Sequence, residues 1–254
     1  MKWTHLYIAF VLVVVFGLAK TPSFAQEPLT NAKILKNFNI VAFGNEYTNK
    51  RYKAVRKWKK PIRIGIQGKN HPPYFERYVR EHIRKLWELT GHPIELYYSI
   101  RKQKSGTLAK DFNQNNVNFI LYYLPAKEIP KAVGKYFDND LKQVQFMIDN
   151  STCFAKFFTK KNEIKAAIAV FPDHRPQKHM WACVVEELTQ VLGLANDSAS
   201  VNPSIFNDVS QHLELTTHDQ WMLKMFYDPR ITIGMPREHA IAMGKTILNE
   251  IRPE

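Results

Sequence analysis

The chain has 254 residues, with 36 basic and 23 acidic side chains and a formal net charge of +13 at pH 7. This length is enough for one domain with a sizeable buried core. Beyond the first 25 residues no stretch is long and apolar enough to cross a bilayer, which excludes a helical membrane anchor in the remainder of the chain.

The N-terminus has the features of a cleavable secretory signal. A basic start leads into an apolar stretch, Leu6–Ala19, and the small residues Ser23 and Ala25 precede Gln26. About 14 apolar residues are too few to cross a hydrocarbon core of ~30 Å, which needs roughly 20 in a helix. We therefore expect a signal peptide over residues 1–25, and a periplasmic or secreted mature protein.

The strong positive charge constrains the partners. The signal peptide carries two lysines and no acid, so the mature chain keeps a net charge of about +11, a field that attracts polyanions. Outside the cytoplasm we expect a protein or an anionic envelope polymer as partner, no nucleic acid, and contact with the membrane only during export. The oligomeric state is left open by the sequence.

Composition divides the mature chain into a basic N-terminal extension over residues 26–60 and a domain over residues 61–254. Within the extension, a run of basic residues is interleaved with Tyr52 and Trp58. Such a run can hold a polyanion while its rings stack on the ligand, or it can be the solvated face of a short helix.

Hydrophobic periodicity predicts strands and one long helix in the first half of the domain. The helix places Val79, Ile83, Leu86 and Trp87 on one buried face and stops at Gly91. In chain order the predicted elements are a strand at Ile62–Ile66, the helix Tyr74–Thr90, strands at Ile94–Ile100 and Val117–Leu124, and a hairpin of Cys153–Thr159 and Ile164–Phe171. This order favours an α+β fold, a sheet covered by helices.

A second long helix is predicted over Lys178–Leu192, where a stripe of apolar residues repeats at helical spacing and Gly193 provides the stop. Its other side carries Cys183, Glu186 and Gln190. A last helix over Met235–Ile251 contributes packing.

Two cysteines remain, Cys153 and Cys183. In an oxidising compartment a disulfide bond between them is the default expectation. The alternative is that Cys183 acts as a metal ligand or a nucleophile.

The sequence from Glu186 to Asp197 reads E-E-L-T-Q-V-L-G-L-A-N-D. It resembles the zinc-binding helix of the metzincin metalloproteases, H-E-x-x-H-x-x-G-x-x-H, with the glutamate Glu187 and the glycine Gly193 in register. It is also similar to a bacterial exported family of unknown function with the signature E-E-x-x-Q-x-x-G-L-x-N-D. Downstream, Pro203–Asn207 resembles the turn beneath the metal in metzincins, with Phe206 in place of methionine.

These resemblances imply a zincin-like fold with a mixed twisted sheet, an active-site-type helix and a helical C-terminal part. They also imply a degenerate metal site, because Glu186, Gln190 and Asn196 stand where metzincins have histidines. Glu187 is the predicted catalytic residue. Consecutive helical residues point about 100° apart, so the two glutamates are not expected to form a facing carboxylate pair.

Three functions remain open at this level. The first is a metal-dependent hydrolase whose oxygen-rich ligands, Glu186, Gln190, Asn196, Asp197 or Asp208, would hold a divalent cation such as calcium, magnesium or manganese. The second is metal-free acid or base chemistry by Glu187. The third is a zincin scaffold that has lost catalysis and binds a partner, as an accessory protein of the cell envelope or of a secreted toxin system.

Overall fold

The computed structural model describes residues 29–45, 50–68, 71–207, 209 and 212–254. The predicted signal peptide lies outside the described residues. Within them no helix has the length and apolar character needed to span a membrane. The helices of the described part are α1 Asn31–Phe43, α2 Pro73–Thr90, α3 Ile100–Lys104, α4 Ile129–Val133, α5 Leu141–Asn150, α6 Gln177–Gln190, α7 Thr217–Tyr227 and α8 Arg237–Ile251.

One six-stranded sheet runs through the domain. Its strands are β1 Lys57–Trp58, β2 Ile62–Gln67, β3 Ile94–Tyr98, β4 Phe119–Leu124, β5 Phe154–Lys160 and β6 Glu163–Pro172. The order β3-β2-β4-β6 is parallel throughout, and the short β1 is parallel to the start of β6. β5 pairs antiparallel with β6 and with no other described strand, so it forms one edge of the sheet. The fold is therefore α+β with a mostly parallel sheet.

Helices cover both faces of this sheet. On one face, α2 and α6 join α1, α7 and α8 in the larger hydrophobic core. On the other face, α4 and α5 form a smaller core with side chains of β4 and β6, including Tyr122, Val144, Ile168 and Val170. The edge strand β5 lies where the two layers meet, because Phe154 belongs to the smaller core while Cys153 belongs to the larger one.

The helix α1 lies within the region assigned by composition to the N-terminal extension. Its residues Ile34, Phe38 and Val41 are fully buried, and the Phe38 ring lies 5.3 Å from the ring of Phe226 in α7. Residues 31–43 are thus part of the main core.

Most predicted elements form within a few residues of their expected bounds. The strand expected to reach Ile100 ends at Tyr98, because Ser99 caps α3 by accepting a hydrogen bond from the Lys102 backbone N–H at 3.1 Å. The burial predicted for Trp87 is wrong, since this residue is 54% exposed. It lies about 100° around the helix from Leu86, beyond the strip of α2 that faces the sheet.

Candidate functional site

The helix α6 is held against α2 by its apolar stripe and by one buried polar contact. Val184, Val185 and Leu188 are buried in the core. The Thr189 hydroxyl donates to the Val185 carbonyl, so the Nε2–H of His82 donates to Thr189 Oγ1 at 3.0 Å. Burial lowers the pKa of His82 to about 3. A neutral histidine therefore helps to fix the orientation of α6.

The opposite side of α6 is attached to the edge strand by a disulfide bond. Cys183 is bonded to Cys153, the residue before β5, with an S–S distance of 2.05 Å. The predicted bridge is confirmed, and the alternative of Cys183 as metal ligand or nucleophile is wrong. A disulfide is consistent with an oxidising compartment reached by export.

Glu186 and Glu187 follow Cys183 on α6. One carboxylate oxygen of each lies within 4.8 Å of the other and of Cys153 Sγ. One oxygen of each carboxylate thus approaches the other, although the Cα–Cβ bonds of consecutive helical residues point about 100° apart. Glu187 is only 3% exposed. The nearby sulfur is in a disulfide, so this group offers no thiolate to a metal.

The two predicted amide ligands make hydrogen bonds within the protein. Gln190 Nε2 donates to both carboxylate oxygens of Asp197 at 3.0 Å. Asn196 Nδ2 donates to the Ile40 carbonyl in α1 at 3.2 Å, and its amide packs against Gly44. An amide that donates in this way offers at best one weak oxygen ligand, and zinc sites are built from imidazole and thiolate with some carboxylate. The residues present do not fit a zinc ion.

The chain turns sharply after α6, as the motif predicted. Gly193 has φ +115°, and a Cβ at this position would lie 2.3 Å from the Arg56 carbonyl oxygen. Two side chains from other parts of the chain also hold the turn by hydrogen bonds. Trp58 Nε1 donates to the Val191 carbonyl, and the Tyr227 hydroxyl donates to the Leu192 carbonyl.

The segment that resembles the metal-underlying turn is anchored by a buried aspartate of α7. Asp219 accepts hydrogen bonds from the Ser204 hydroxyl at 2.5 Å and from the Ile205 backbone N–H at 3.1 Å. It also completes a capping box with Thr216. Phe206, within this turn, is fully buried. The candidate ligand Asp208 lies outside the described residues.

A cleft of about 250 Å³ opens beside the C-terminal end of α6. One wall is β5 with Ala155, Lys156 and Phe157, and α6 with its following turn contributes Gln190 and Ala195. The lining is completed by Phe137 from the turn before α5, by Met147 from α5, and by Tyr52 and Arg56 from the segment before β1. Among the described residues of the predicted site, Gln190 lines the cleft and Glu187 does not.

Arg56 is the most buried cation in the cleft wall, with an exposed fraction of 5%. Its guanidinium carbon lies 3.4 Å from the ring centroid of Tyr52 and 5.0 Å from that of Phe157. One terminal nitrogen donates to the Ala42 carbonyl at 3.1 Å, while the Nε–H has no hydrogen-bond partner among the described residues. Burial lowers the pKa of Arg56 to about 10, although Tyr52 opposes this shift.

Lys156 supplies a second cation from β5. Its Nζ donates to the Tyr136 carbonyl at 2.7 Å and lies 4.4 Å from the ring centroid of Phe137. Burial lowers the pKa of this ammonium group, and the charge of Asp138 partly opposes the change. Sequence reasoning included Arg56 in a basic run that could bind an anion or be a solvated helix face, and it did not select Lys156. The basic run with aromatic residues around Tyr52 was the one signal that pointed toward this wall.

A family model for proteins of unknown function, DUF2927, matches residues 31–245. The chain belongs to the DUF2927 family. The expected resemblance to a family of unknown function is thus confirmed at this level. The chain matches no curated protein and no solved structure.

The DUF2927 region contains every element of the cleft. It begins at the first residue of α1, whose Ile40 carbonyl accepts from Asn196, and extends into α8. It therefore includes the helix α1 and the segment with Tyr52 and Arg56, which lie before the predicted start of the domain at residue 61. The cleft is a feature of the DUF2927 region as a whole.

Proposed function

We propose that this DUF2927 protein is exported and acts as a non-catalytic binding protein on a zincin-like scaffold, with the cleft beside α6 holding a segment of a partner protein. One observation carries the proposal. The amides of Gln190 and Asn196, at the positions of metzincin ligand histidines, are engaged with Asp197 and Ile40, while the adjacent cleft is open.

The zincin-like part of the proposal is supported by the order of elements around α6. The antiparallel edge strand β5 lies beside this helix, the chain turns at Gly193 just after the helix, and a buried turn at Phe206 precedes α7. This arrangement agrees with the resemblance of the Glu186–Asp197 segment to the metzincin helix. Export is supported by the N-terminal signal features and by the disulfide bond.

Binding without cleavage is supported by the position of the predicted catalytic residue. A general base must reach the reacting group or a water molecule beside it. Glu187 is almost completely buried and is not part of the cleft lining, whereas Gln190, one turn later, does line it. A carboxamide such as that of Gln190 is not a general base and cannot activate water.

The edge strand suggests how a partner would bind. Since β5 pairs with β6 alone among the described strands, its other edge is available to add an extended segment through backbone hydrogen bonds. Ala155, Lys156 and Phe157 of this strand line the cleft. Small and aromatic side chains there provide pockets for alternate side chains of an added strand.

A peptide selection tests this proposal. The purified protein is immobilised and exposed to a mixed-sequence decapeptide library, and the retained peptides are identified by mass spectrometry. Wild type is expected to retain a defined subset, and Ala195→Trp, which fills the cleft, is expected to retain none of it. Ala199→Trp, at an exposed position of the following loop, is the matched control. Equal retention by all three proteins would contradict the proposal.

A second candidate function is hydrolysis that uses the two glutamates without a metal. The observation in its favour is the approach of the Glu186 and Glu187 carboxylate oxygens to within 4.8 Å. Neighbouring carboxylates can divide the roles of acid and base, because one raises the pKa of the other. This function predicts that peptides from the library are cleaved by wild type and remain intact with Glu187→Gln.

A further inference from the structure

We infer that the protein binds an acidic polysaccharide in a basic groove at the tip of the β5–β6 hairpin. The groove has a volume of about 990 Å³, and among the described residues it shares no lining residue with the cleft beside α6. Its charged lining side chains are five lysines and one glutamate: Lys57, Lys59, Lys160, Lys161, Lys165 and Glu163. The inference does not depend on the function proposed for the cleft, because it concerns a separate surface.

The strand register places most of these side chains on one face of the sheet. Residues paired across neighbouring strands point to the same face, and so do residues two apart in one strand. Glu163 of β6 pairs with Lys57 of β1 and with Lys160 of β5. Lys59 comes two residues after Lys57, and Lys165 comes two residues after Glu163. The lysines from three neighbouring segments of the sheet therefore project into one groove.

Most of the positive charge in the basic groove is available to a ligand. Lys59, Lys160 and Lys161 are exposed, and within the described part of the chain none of them lies within 4.0 Å of an acidic oxygen. Glu163 contacts Lys165 at 2.6 Å. Like charges gathered on one surface repel each other and attract anions, so a bound polyanion would relieve this repulsion.

The turn at the hairpin tip carries a lysine in an unfavourable backbone conformation. Lys161 and Asn162 have φ +50° and +63°, the positive values of a two-residue hairpin turn that favours glycine and asparagine. Asparagine adopts this conformation readily, whereas lysine is strained in it. Because Lys161 makes no ion pair with another described residue, its charge does not stabilise the turn. Ligand binding gives this lysine a role that its conformation does not.

The size and charge pattern of the basic groove favour a polymer over a small anion. Its volume is about four times that of the cleft, which leaves room for several sugar rings. Side chains on one face lie about 5 Å apart across strands and about 7 Å apart along a strand, so these lysines do not all converge on one small ion. Lysine carries its charge on a flexible stem and needs no fixed ligand geometry. A chain with a carboxylate on each sugar unit matches such a row of charges.

An acidic protein segment is the alternative occupant, and the strand edge next to the groove does not favour it. An extended segment binds by adding to a free edge of a sheet. Here β1 pairs with β6, and the backbone of Val55, just before β1, exchanges hydrogen bonds with Gly234 and Met235. Recognition in the groove therefore depends on the charged side chains, which suits a polyanion.

The test uses a decamer of galacturonic acid, its fully methyl-esterified form as the neutral match, and deca-L-glutamate as an acidic peptide. Binding to the purified protein is measured by isothermal titration calorimetry at low salt and again at physiological ionic strength. We expect the galacturonate decamer to bind at least tenfold more tightly than its methyl ester and more tightly than deca-L-glutamate. Its affinity should fall as salt is added, because salt screens exposed charges.

Two matched pairs of exposed lysines make the test specific. The Lys59→Gln/Lys160→Gln variant removes two charges from the basic groove and is expected to weaken galacturonate binding at least fivefold. The control, Lys104→Gln/Lys127→Gln, removes two exposed charges that follow β3 and β4 at the opposite end of the parallel sheet. It gives the same net charge and should weaken binding less than twofold.

A third variant separates binding from folding. Lys161→Gly suits the positive φ of the turn and removes the charge, so we expect a melting temperature at least equal to that of wild type together with weaker galacturonate binding. Unchanged binding by this variant and by Lys59→Gln/Lys160→Gln would overturn the inference.

The remaining outcomes are equally decisive. Equal affinity for the galacturonate decamer and its ester, binding of neither, or equal weakening by the two lysine pairs would overturn the inference. Tighter binding of deca-L-glutamate would assign the groove to an acidic protein segment instead. Ala195→Trp should bind the galacturonate decamer like wild type, and a loss of binding would place the ligand in the cleft. The peptide selection tests the cleft independently, so the two proposals can fail separately.

Discussion

Gly193 packs directly against the backbone of Arg56, with the site of a Cβ atom 2.3 Å from the Arg56 carbonyl oxygen. The glycine lies in the turn that follows α6, and the arginine is a buried residue of the cleft lining. The predicted turn at Gly193 thus helps to set the position of Arg56 in the cleft.

Replacing Gly193 with alanine should therefore destabilise the fold and disturb the cleft together. The backbone has φ +115°, and a methyl group would collide with the Arg56 carbonyl. We expect a loss of more than about 2 kcal/mol in the free energy of unfolding, measured by urea denaturation. Gly91→Ala is the matched control, since Gly91 has φ +63° with open space around it, and should lose only about 1 kcal/mol. Equal losses would contradict the packing argument.

Asp219 should be essential for the Pro203–Asn207 turn. It accepts hydrogen bonds from Ser204, Ile205 and Thr216 in a fully buried position. Asp219→Asn places an N–H₂ group where donors already point, so we expect a loss of about 2–4 kcal/mol in unfolding free energy. Calorimetry on the variant measures this, with exposed Glu238→Gln as the control expected to melt like wild type. A wild-type melting temperature for Asp219→Asn would contradict the assignment.

The disulfide bond should stabilise the contact between β5 and α6. Cys153 and Cys183 are 30 residues apart, and closing a loop of this size contributes roughly 3–4 kcal/mol on the chain-entropy description. The Cys153→Ser/Cys183→Ser double variant should unfold at lower denaturant concentration by a corresponding amount. Addition of a reductant should lower the stability of wild type alone. An equal response of the double variant would show that the reductant acts elsewhere.

His82 should make the protein sensitive to acid. Its pKa is about 3 in the folded state and about 6.5 when unfolded, so the unfolded state binds an extra proton between these values. The stabilisation is complete above pH 6.5 and is lost as the pH falls toward 3. Between pH 7 and pH 4 we expect wild type to lose about 3 kcal/mol more than His82→Gln. Parallel stability curves for the two proteins would contradict this role.

Local sequence patterns predicted much of the sheet and the long helices. The α6 stripe and the β5–β6 hairpin follow from periodicity, because each element buries one continuous face. The helices α1 and α5 were not predicted. Their burial depends on distant partners, as in the contact of Phe38 with Phe226 and of Met147 with the smaller core. Such tertiary packing leaves little signal in a single sequence.

The candidate site was predicted less well than the fold for a similar reason. The motif correctly selected α6 and the Gly193 turn, and the cysteine content predicted the disulfide; these are local or compositional features. It did not reveal that Gln190 donates to Asp197 or that Asn196 donates to Ile40 in α1. It also gave no sign of Lys156, which lies 100 residues after Arg56 and joins it in the cleft lining only after β5 forms the sheet edge.

The most direct test of the account is the fate of peptides that the cleft retains. Peptides selected by wild type are incubated with wild type and with Glu187→Gln, and their masses are followed over time. We predict that both proteins bind the peptides with equal affinity and return them intact. Fragments that accumulate with wild type and are absent with Glu187→Gln would contradict a non-catalytic role.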